Sequence, residues 1–115
     1  MREDDQIRLR HMLDAAREAV HFADGKSRDD LDKDRLLALG LMKCIEIIGE
    51  AASKISEGCR KTLPEIPWKS ILGMRNRLIH AYFEIDLDVV WYTTTVSLPP
   101  LIPILERNIT PGAYE

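Results

Sequence analysis

One long apolar segment constrains the fold of this chain more than any other feature. The stretch "LLALGLMKCIEIIGEAASKI", residues 36–55, is apolar on more than one face of a helix. Such a helix must pack against several neighbours at once, so we expect it at the centre of a helical domain. Its small residues would let those neighbours approach closely: Gly40, Gly49, Ala51 and Ala52.

The bounds of this central helix are predicted from capping signals. Ser27 followed three residues later by Asp30 is typical of a helix N-terminus, and we expect the helix to run roughly over residues 29–56. Gly58 is then its expected C-terminal cap. An amphipathic helix is predicted before it, because apolar residues recur at spacings of three and four over residues 4–23.

Two more helices are predicted after the proline-containing connector "LPEIPW". One runs from about Pro67 to His80, and the next starts near Leu87 with Asp86 as its N-cap. The pair Pro99–Pro100 is expected to kink or break the last helix, because neither residue can donate a backbone hydrogen bond. No segment has the alternation of a β-strand. The expected fold class is therefore all-α, an antiparallel bundle of four to five helices.

Length and composition agree with a single helical domain over residues 1–115. The chain is 45% hydrophobic and 30% charged, which is ordinary for a globular protein, and it is long enough for one core. The start "MREDDQ" is charged with no apolar signal core after it, and no run is apolar enough to span a bilayer. We therefore expect a cytoplasmic protein without membrane contact. Because the central helix is apolar nearly all round, we also expect a homodimer.

The sequence predicts no metal site and no cofactor, and its charge is unevenly distributed. There is no C-x-x-C motif, and the histidines at 11, 21 and 80 are scattered. The formal net charge is −3, but residues 60–80 contain five Lys or Arg against one acidic residue. A basic segment of this kind can meet a phosphate. A solvated helix face is the alternative that charge alone leaves open.

The stretch "MRNRLIHAYFEID", residues 74–86, combines groups that suit phosphodiester chemistry without a metal ion. Histidine transfers protons near neutral pH, and arginine holds phosphate oxygens through parallel hydrogen bonds. Arg75 and His80 are therefore the candidate catalytic pair, and Asn76 shares a helical face with His80 and could orient it. Spacing alone leaves another interpretation open, in which Arg75 and Arg77 form surface ion pairs and His80 is hydrogen-bonded at a helix end.

Other polar and aromatic residues are given structural interpretations. Glu46 and Glu50 lie four apart on the central helix, but no second pair and no E-x-x-H motif supports a metal centre, so they are interpreted as an ordinary polar face. Trp68 and Trp91 are expected to pack in the core or at an interface rather than stack on a base. Three cations are interpreted as surface charge rather than as a track for RNA: Lys54, Arg60 and Lys61.

Several motifs, in this order, resemble the HepT-like toxin family of HEPN domains. They are "IGEA" in the central helix, the "IPW" connector, "GMRNRLIHAYF", "D-x-VW" and the double proline. The similar stretches are residues 47–56 and 63–105. This resemblance implies a small, HEPN-like helical protein that dimerises.

The resemblance also implies an activity and a partner. Members of this family resemble metal-independent endoribonucleases in which the R-x-x-x-x-H motifs of two subunits meet in one cleft, and they act as toxins of toxin–antitoxin systems with tRNA or mRNA as candidate substrates. Arg75 and His80 would be catalytic, and Asn76 and Arg77 would support them and contact RNA. Tyr82 would be the residue to which a minimal nucleotidyltransferase antitoxin attaches AMP.

Two other functions remain open on the sequence. In one, the protein is a non-catalytic partner subunit that binds a nucleotide or the nucleotidyltransferase through the same groove. In the other, it is a helical scaffold without a ligand. The acidic net charge favours these two, whereas the intact motif favours the ribonuclease.

Overall fold

The computed structural model describes residues 2–80 and 86–110, and within them all regular structure is helical. The predicted all-α fold class is thus confirmed. No helix among these residues combines the length and the apolar character needed to cross a membrane. The elements in chain order are α1 (Glu3–Ala23), α2 (Asp30–Lys33), α3 (Arg35–Ser53), α4 (Glu57–Thr62), α5 (Trp68–His80), α6 (Leu87–Tyr92), a π-helical segment (Thr93–Ser97) and α7 (Leu98–Asn108).

The predicted central helix is α3, which packs against both α1 and α5. Its inward residues Leu41, Ile45 and Ile48 are buried and join a core that includes Leu9 and Met12 of α1. Because the apolar face of α3 is wide, it can cover two neighbours at once, as expected from its sequence.

The start of α1 is tied to the residues that follow α3. The buried carboxylate of Asp5 accepts hydrogen bonds from the Ser56 backbone N–H at 2.8 Å and from the Ser56 hydroxyl at 2.6 Å. The N-terminal end of α1 therefore lies beside the C-terminal end of α3, so these two helices are antiparallel.

The predicted single helix over residues 29–56 is wrong at its N-terminal side. Asp34 leaves the helical conformation, with φ −117° and ψ 92°, and its carboxylate accepts a hydrogen bond from the Leu37 N–H at 3.1 Å. An N-cap of this kind satisfies an otherwise orphan donor, so it starts α3 afresh after the short α2. The predicted capping signal before α2 is confirmed only in part: the Asp30 carboxylate accepts from the Ser27 N–H at 2.7 Å, but the helix begins at Asp30 with Asp29 as its N-cap, and Ser27 does not cap it.

The predicted C-terminal cap is also wrong. Helix α3 ends at Ser53, and Gly58 lies inside α4 rather than after α3. The Ser56 hydroxyl accepts a hydrogen bond from the Cys59 N–H at 3.2 Å, so Ser56 begins a new helix where the sequence was expected to end one. A serine N-cap needs no residue with positive φ, and Gly58 accordingly has none.

The last helical run begins where predicted but does not break at the prolines. Asp86 caps α6 by accepting from the Asp88 N–H at 2.8 Å. The backbone then stays helical through the π-helical segment and Pro99–Pro100 into α7. Of the two expected outcomes, a kink or a break, the break is therefore wrong. The prolines fall in the first turn of α7, after the wider π turn has changed the hydrogen-bond register, and their missing N–H groups are tolerated there.

The homodimer expectation rested on the apolar surface of α3, and within residues 2–80 and 86–110 only part of that surface is exposed: Leu36 is 81% and Ile47 is 36% exposed. Most apolar residues of α3 are buried within the chain. On the last helical run, by contrast, Tyr92 is 61% exposed and Val96 is 50% exposed.

Candidate functional site

Helix α5 carries the predicted motif, and contacts at its first turn anchor it. The Pro67 carbonyl accepts the first helical hydrogen bond, from the Ile71 N–H at 3.0 Å. The Trp68 indole N–H donates to the Leu63 carbonyl at 3.0 Å, so Trp68 has the packing role expected from the sequence. Near the other end of α5, Leu78 is buried in the core.

Helices α3 and α5 cross with their backbones unusually close at Gly49. A Cβ atom added to Gly49 would lie 2.5 Å from the Cβ of Arg75 and 3.3 Å from its Cα. Real Cβ atoms do not approach so closely, so this crossing requires glycine. The predicted close approach at Gly49 is therefore confirmed, and the helix that approaches is the one that bears the motif.

The crossing brings the guanidinium of Arg75 against the next residue of α3. Arg75 Nε donates to Glu50 Oε1 at 2.7 Å, and the two side chains are 28% and 37% exposed. Arg75 Nη1 also donates to Asn76 Oδ1 at 3.3 Å. Two acceptors therefore orient the guanidinium. Because arginine has five N–H donors, those not used in these contacts remain for an anion such as phosphate.

The other predicted site residues are only partly described. Asn76 and Arg77 are exposed on α5, and Arg77 lines a groove on the side of α5 that faces α6 and α7. His80 is the last residue of α5. Its side chain and the whole of Tyr82 lie outside the described part of the structure, so their roles stay predictions.

A large, mainly apolar groove adjoins the motif helix. It has a volume of about 690 Å³ and lies between α5 and the last helical run, with α3 as its floor. Side chains from all three elements line it, among them Ile45, Ile48, Met74, Tyr92 and Val96.

Sequence reasoning did not identify Glu50 as a partner of Arg75. The signal available was the pair Glu46 and Glu50, which was interpreted as an ordinary polar face. That interpretation suits Glu46, which pairs with Lys43 of its own helix at 3.3 Å. The contact of Glu50 depends on how α5 crosses α3, and spacing within α3 does not contain that information.

Arg60, interpreted as surface charge, has a structural role. Its Nη2 donates to the carbonyls of Ala52 and Ser53 at 3.0 and 3.2 Å, which satisfies free acceptors at the end of α3. Its guanidinium carbon also lies 6.0 Å from the centre of the Trp68 ring. Arg60 therefore stabilises the end of α3, and it is more than the surface charge that the sequence predicted.

The two cysteines are buried, and burial disfavours the thiolate form of each. Burial raises the pKa of the Cys44 thiol to about 11, with a further contribution from Glu18. Burial, followed by the charge of Asp5, also raises the pKa of Cys59. Among the described residues, no group of three or more His, Cys, Asp or Glu side chains is arranged to hold a metal ion.

Comparison with known proteins gives one family. The family model "Ribonuclease HepT-like" matches residues 12–108. A protein of Methanocaldococcus jannaschii named "Putative RNase MJ1216" is 30% identical over 108 residues, covering 94% of this chain and 89% of its own. "Probable ribonuclease HepT" of Thermococcus cleftensis is 34% identical over 93 residues, covering 77% and 84%. "Putative RNase TTE0752" of Caldanaerobacter subterraneus is 34% identical over 93 residues, covering 81% and 83%.

No solved structure matches the chain. The family model spans α3, α5 and the last helical run, and therefore the helices that form the Arg75 site. Together with the all-helical fold, these matches show that the chain belongs to the HepT-like ribonuclease family.

Proposed function

We propose that the protein is a metal-independent RNA endonuclease that uses Arg75 and His80. The observation that carries this proposal is the guanidinium of Arg75, oriented by Glu50 and Asn76 on the helix that ends with His80. Membership of a ribonuclease family makes RNA the substrate class to test first.

In the proposed reaction, His80 accepts the proton of a ribose 2′-hydroxyl. A bond forms between the 2′-oxygen and the adjacent phosphorus while the bond from phosphorus to the 5′-oxygen breaks, and the protonated His80 gives its proton to that 5′-oxygen. The products are a 2′,3′-cyclic phosphate and a 5′-hydroxyl. Arg75 stabilises the charge that builds on the non-bridging oxygens, and Asn76 and Arg77 bind the backbone on either side.

The proposed active form is a homodimer in which two copies of the motif share one cleft. The apolar groove beside α5 and the exposed side chains of Tyr92 and Val96 support this part of the proposal. Exposed apolar patches of this kind are often protein contact sites.

The proposed biological role is that of a toxin held inactive by a minimal nucleotidyltransferase antitoxin. The antitoxin would transfer AMP from ATP to Tyr82, with a new bond from the phenolic oxygen to the α-phosphorus and release of pyrophosphate. The AMP adds negative charge and bulk next to the site on α5. Repulsion between like charges and steric occlusion would both exclude RNA.

RNA cleavage in EDTA tests the catalytic proposal. Intact mass is measured first, because AMP on Tyr82 would inactivate the enzyme. We expect the unmodified wild type to cut a total RNA pool that includes tRNA, and Arg75→Ala and His80→Ala to lose about 100-fold or more in rate. Lys69→Ala, an exposed change on the same helix, is the control and should retain activity.

The opposite result would favour the non-catalytic alternative. If the unmodified wild type is no more active than Arg75→Ala and His80→Ala, the motif would be better interpreted as a surface that binds a nucleotide or the nucleotidyltransferase. Circular dichroism and light scattering on each variant would show that loss of activity is not loss of fold or assembly.

A further inference from the structure

A second, smaller groove is lined mainly by polar and charged residues. It has a volume of about 160 Å³ and runs between α1 and α3. Arg8 and His11 are three residues apart and share a face of α1. The residues from α3 and its C-cap Lys54 recur at helical spacings, so they also form one face: Lys43, Glu46, Ile47, Glu50, Ala51 and Lys54.

The two carboxylates of this groove are already paired. Glu46 Oε1 lies 3.3 Å from Lys43 Nζ, and Glu50 Oε1 lies 2.7 Å from Arg75 Nε. Each negative charge is therefore offset by a neighbouring cation, and an incoming anion does not meet an uncompensated carboxylate here.

Two cations of the groove have no such partner. Within residues 2–80 and 86–110, neither Arg8 nor Lys54 has a carboxylate within salt-bridge distance. The imidazole of His11 is exposed beside them. In a chain with a net charge of −3, Arg8 and Lys54 leave a local excess of positive charge that favours an anionic ligand.

The groove is continuous with the Arg75 site through Glu50. Helix α3 packs between α1 and α5, and Glu50 both lines the groove and accepts the hydrogen bond of Arg75. A strand that passes over Glu50 can therefore contact Arg75 on one side and the groove on the other. Ile47, which is 36% exposed, offers an apolar surface to a ribose or base between these phosphate contacts.

We propose that this groove binds the phosphodiester backbone of the RNA, away from the bond that is cut. The proposal rests on the proposed ribonuclease function and extends it by two phosphate-contacting residues, Arg8 and Lys54. Such contacts are independent of sequence and weaken with salt, because binding releases counterions from the strand.

The test measures RNA affinity with a matched pair of double variants. A fluorescein-labelled single-stranded RNA oligonucleotide is titrated with the His80→Ala protein, so that the RNA is not consumed, over a series of salt concentrations. Arg8→Gln with Lys54→Gln is compared with Lys26→Gln and Lys33→Gln. Both pairs change the net charge by the same amount, and both control lysines are exposed.

The control lysines lie before the first residue of α3, whereas Lys54 follows its last residue. The 19 residues of α3 separate the two ends by about 28 Å. We expect the groove pair to raise the Kd of the RNA about tenfold and to make the salt dependence of log K shallower by about 1.4, for two lost single-strand contacts. The control pair should bind the RNA with the same Kd as the His80→Ala protein without further changes.

Other results would overturn the proposal in distinguishable ways. Equal Kd values for the groove pair and the control pair, with RNA cleavage by the wild type intact, would reject the groove and keep the ribonuclease. If the groove pair binds RNA with an unchanged Kd but no longer captures the nucleotidyltransferase, the groove would be assigned to the protein partner instead. If the His80→Ala protein does not bind the RNA and the unmodified wild type does not cleave it, the proposed function is rejected, and the groove proposal with it.

Discussion

At the scale of single residues, the contact between Arg75 and Glu50 is the feature with the greatest consequence for the proposed activity. The carboxylate fixes the orientation of the guanidinium. It also offsets the positive charge of the arginine, so the net charge of the pair is smaller than that of the arginine alone. Glu50 is therefore a positioning residue: it would act on the reaction through Arg75 and not by touching the RNA phosphate.

Replacing Glu50 by glutamine separates these two effects. We expect kcat for RNA cleavage to fall about tenfold because a neutral amide oxygen holds the guanidinium less firmly than a carboxylate does, while KM stays equal or decreases because one negative charge is gone. Glu46→Gln, four residues earlier on the same helix and paired with Lys43, should leave kcat unchanged. A Glu50→Gln protein with the kcat of the wild type would contradict the positioning role.

The buried carboxylate of Asp5 should make folding stability depend on pH. Burial alone would raise the pKa of Asp5, but the hydrogen bonds from Ser56 and the charge of Arg2 together lower it below its usual value. The unfolded chain therefore binds more protons in acid than the native one. The stabilisation is complete above the unfolded pKa of about 3.9 and is lost as the pH falls through the native pKa.

Urea unfolding as a function of pH checks this. At neutral pH, Asp5→Asn should lower the free energy of unfolding by about 2 kcal/mol, because hydrogen bonds to a charged acceptor are lost. The difference from wild type should shrink below about pH 4. Asp4→Asn, a change at the exposed neighbouring residue, should lower the free energy of unfolding by much less. A difference that does not change with pH would rule out ionised Asp5 as the cause.

At the scale of elements, the crossing of α3 and α5 determines where the motif lies. Gly49 is the contact point, and the atom it meets is the Cβ of Arg75, which cannot swing away as the end of a flexible side chain could. A larger residue must therefore separate the two helices, and it would move Arg75 away from Glu50.

Substituting alanine at two helical glycines tests this crossing. Gly49→Ala should lower the free energy of unfolding by about 2 kcal/mol through overpacking and should reduce RNA cleavage. Gly58→Ala has nothing within 4 Å of the new Cβ and should raise stability by about 0.5 kcal/mol, since glycine is a poor helix former. Equal responses of the two variants in urea unfolding would show that the helices can separate without cost.

At the scale of the whole molecule, the open question is what covers the apolar groove beside α5. Tyr92 and Val96 line this groove, and they are 61% and 50% exposed. In the proposed homodimer, a second copy covers these residues and brings a second Arg75 towards the first.

Charged substitutions distinguish this surface from exposed apolar residues elsewhere. We expect wild type to have the mass of two chains by light scattering at micromolar concentration, and Tyr92→Glu with Val96→Glu to have the mass of one. Leu36→Glu is the control, since Leu36 is 81% exposed and does not line the groove. A wild-type mass of one chain would contradict the proposed dimer.

Much of the fold could be predicted because it depends on local rules. Helical periodicity located α1 and the centre of α3, and a side-chain cap marked the start of α6 at Asp86. The errors arose where two local signals compete. Asp34 and Ser56 each start a new helix, and a count of apolar spacings does not record which polar side chain will accept a backbone N–H.

The sequence by itself determined the helical class, the central place of α3 and, through its motifs, the family. These features follow from periodicity and residue type, which are properties of neighbours along the chain. The tertiary structure alone decided that Glu50 orients Arg75, that Gly49 is their crossing point and that Arg8 and Lys54 share a groove beside them. Such contacts join residues distant in sequence, and only the packing of α3 between α1 and α5 brings them together.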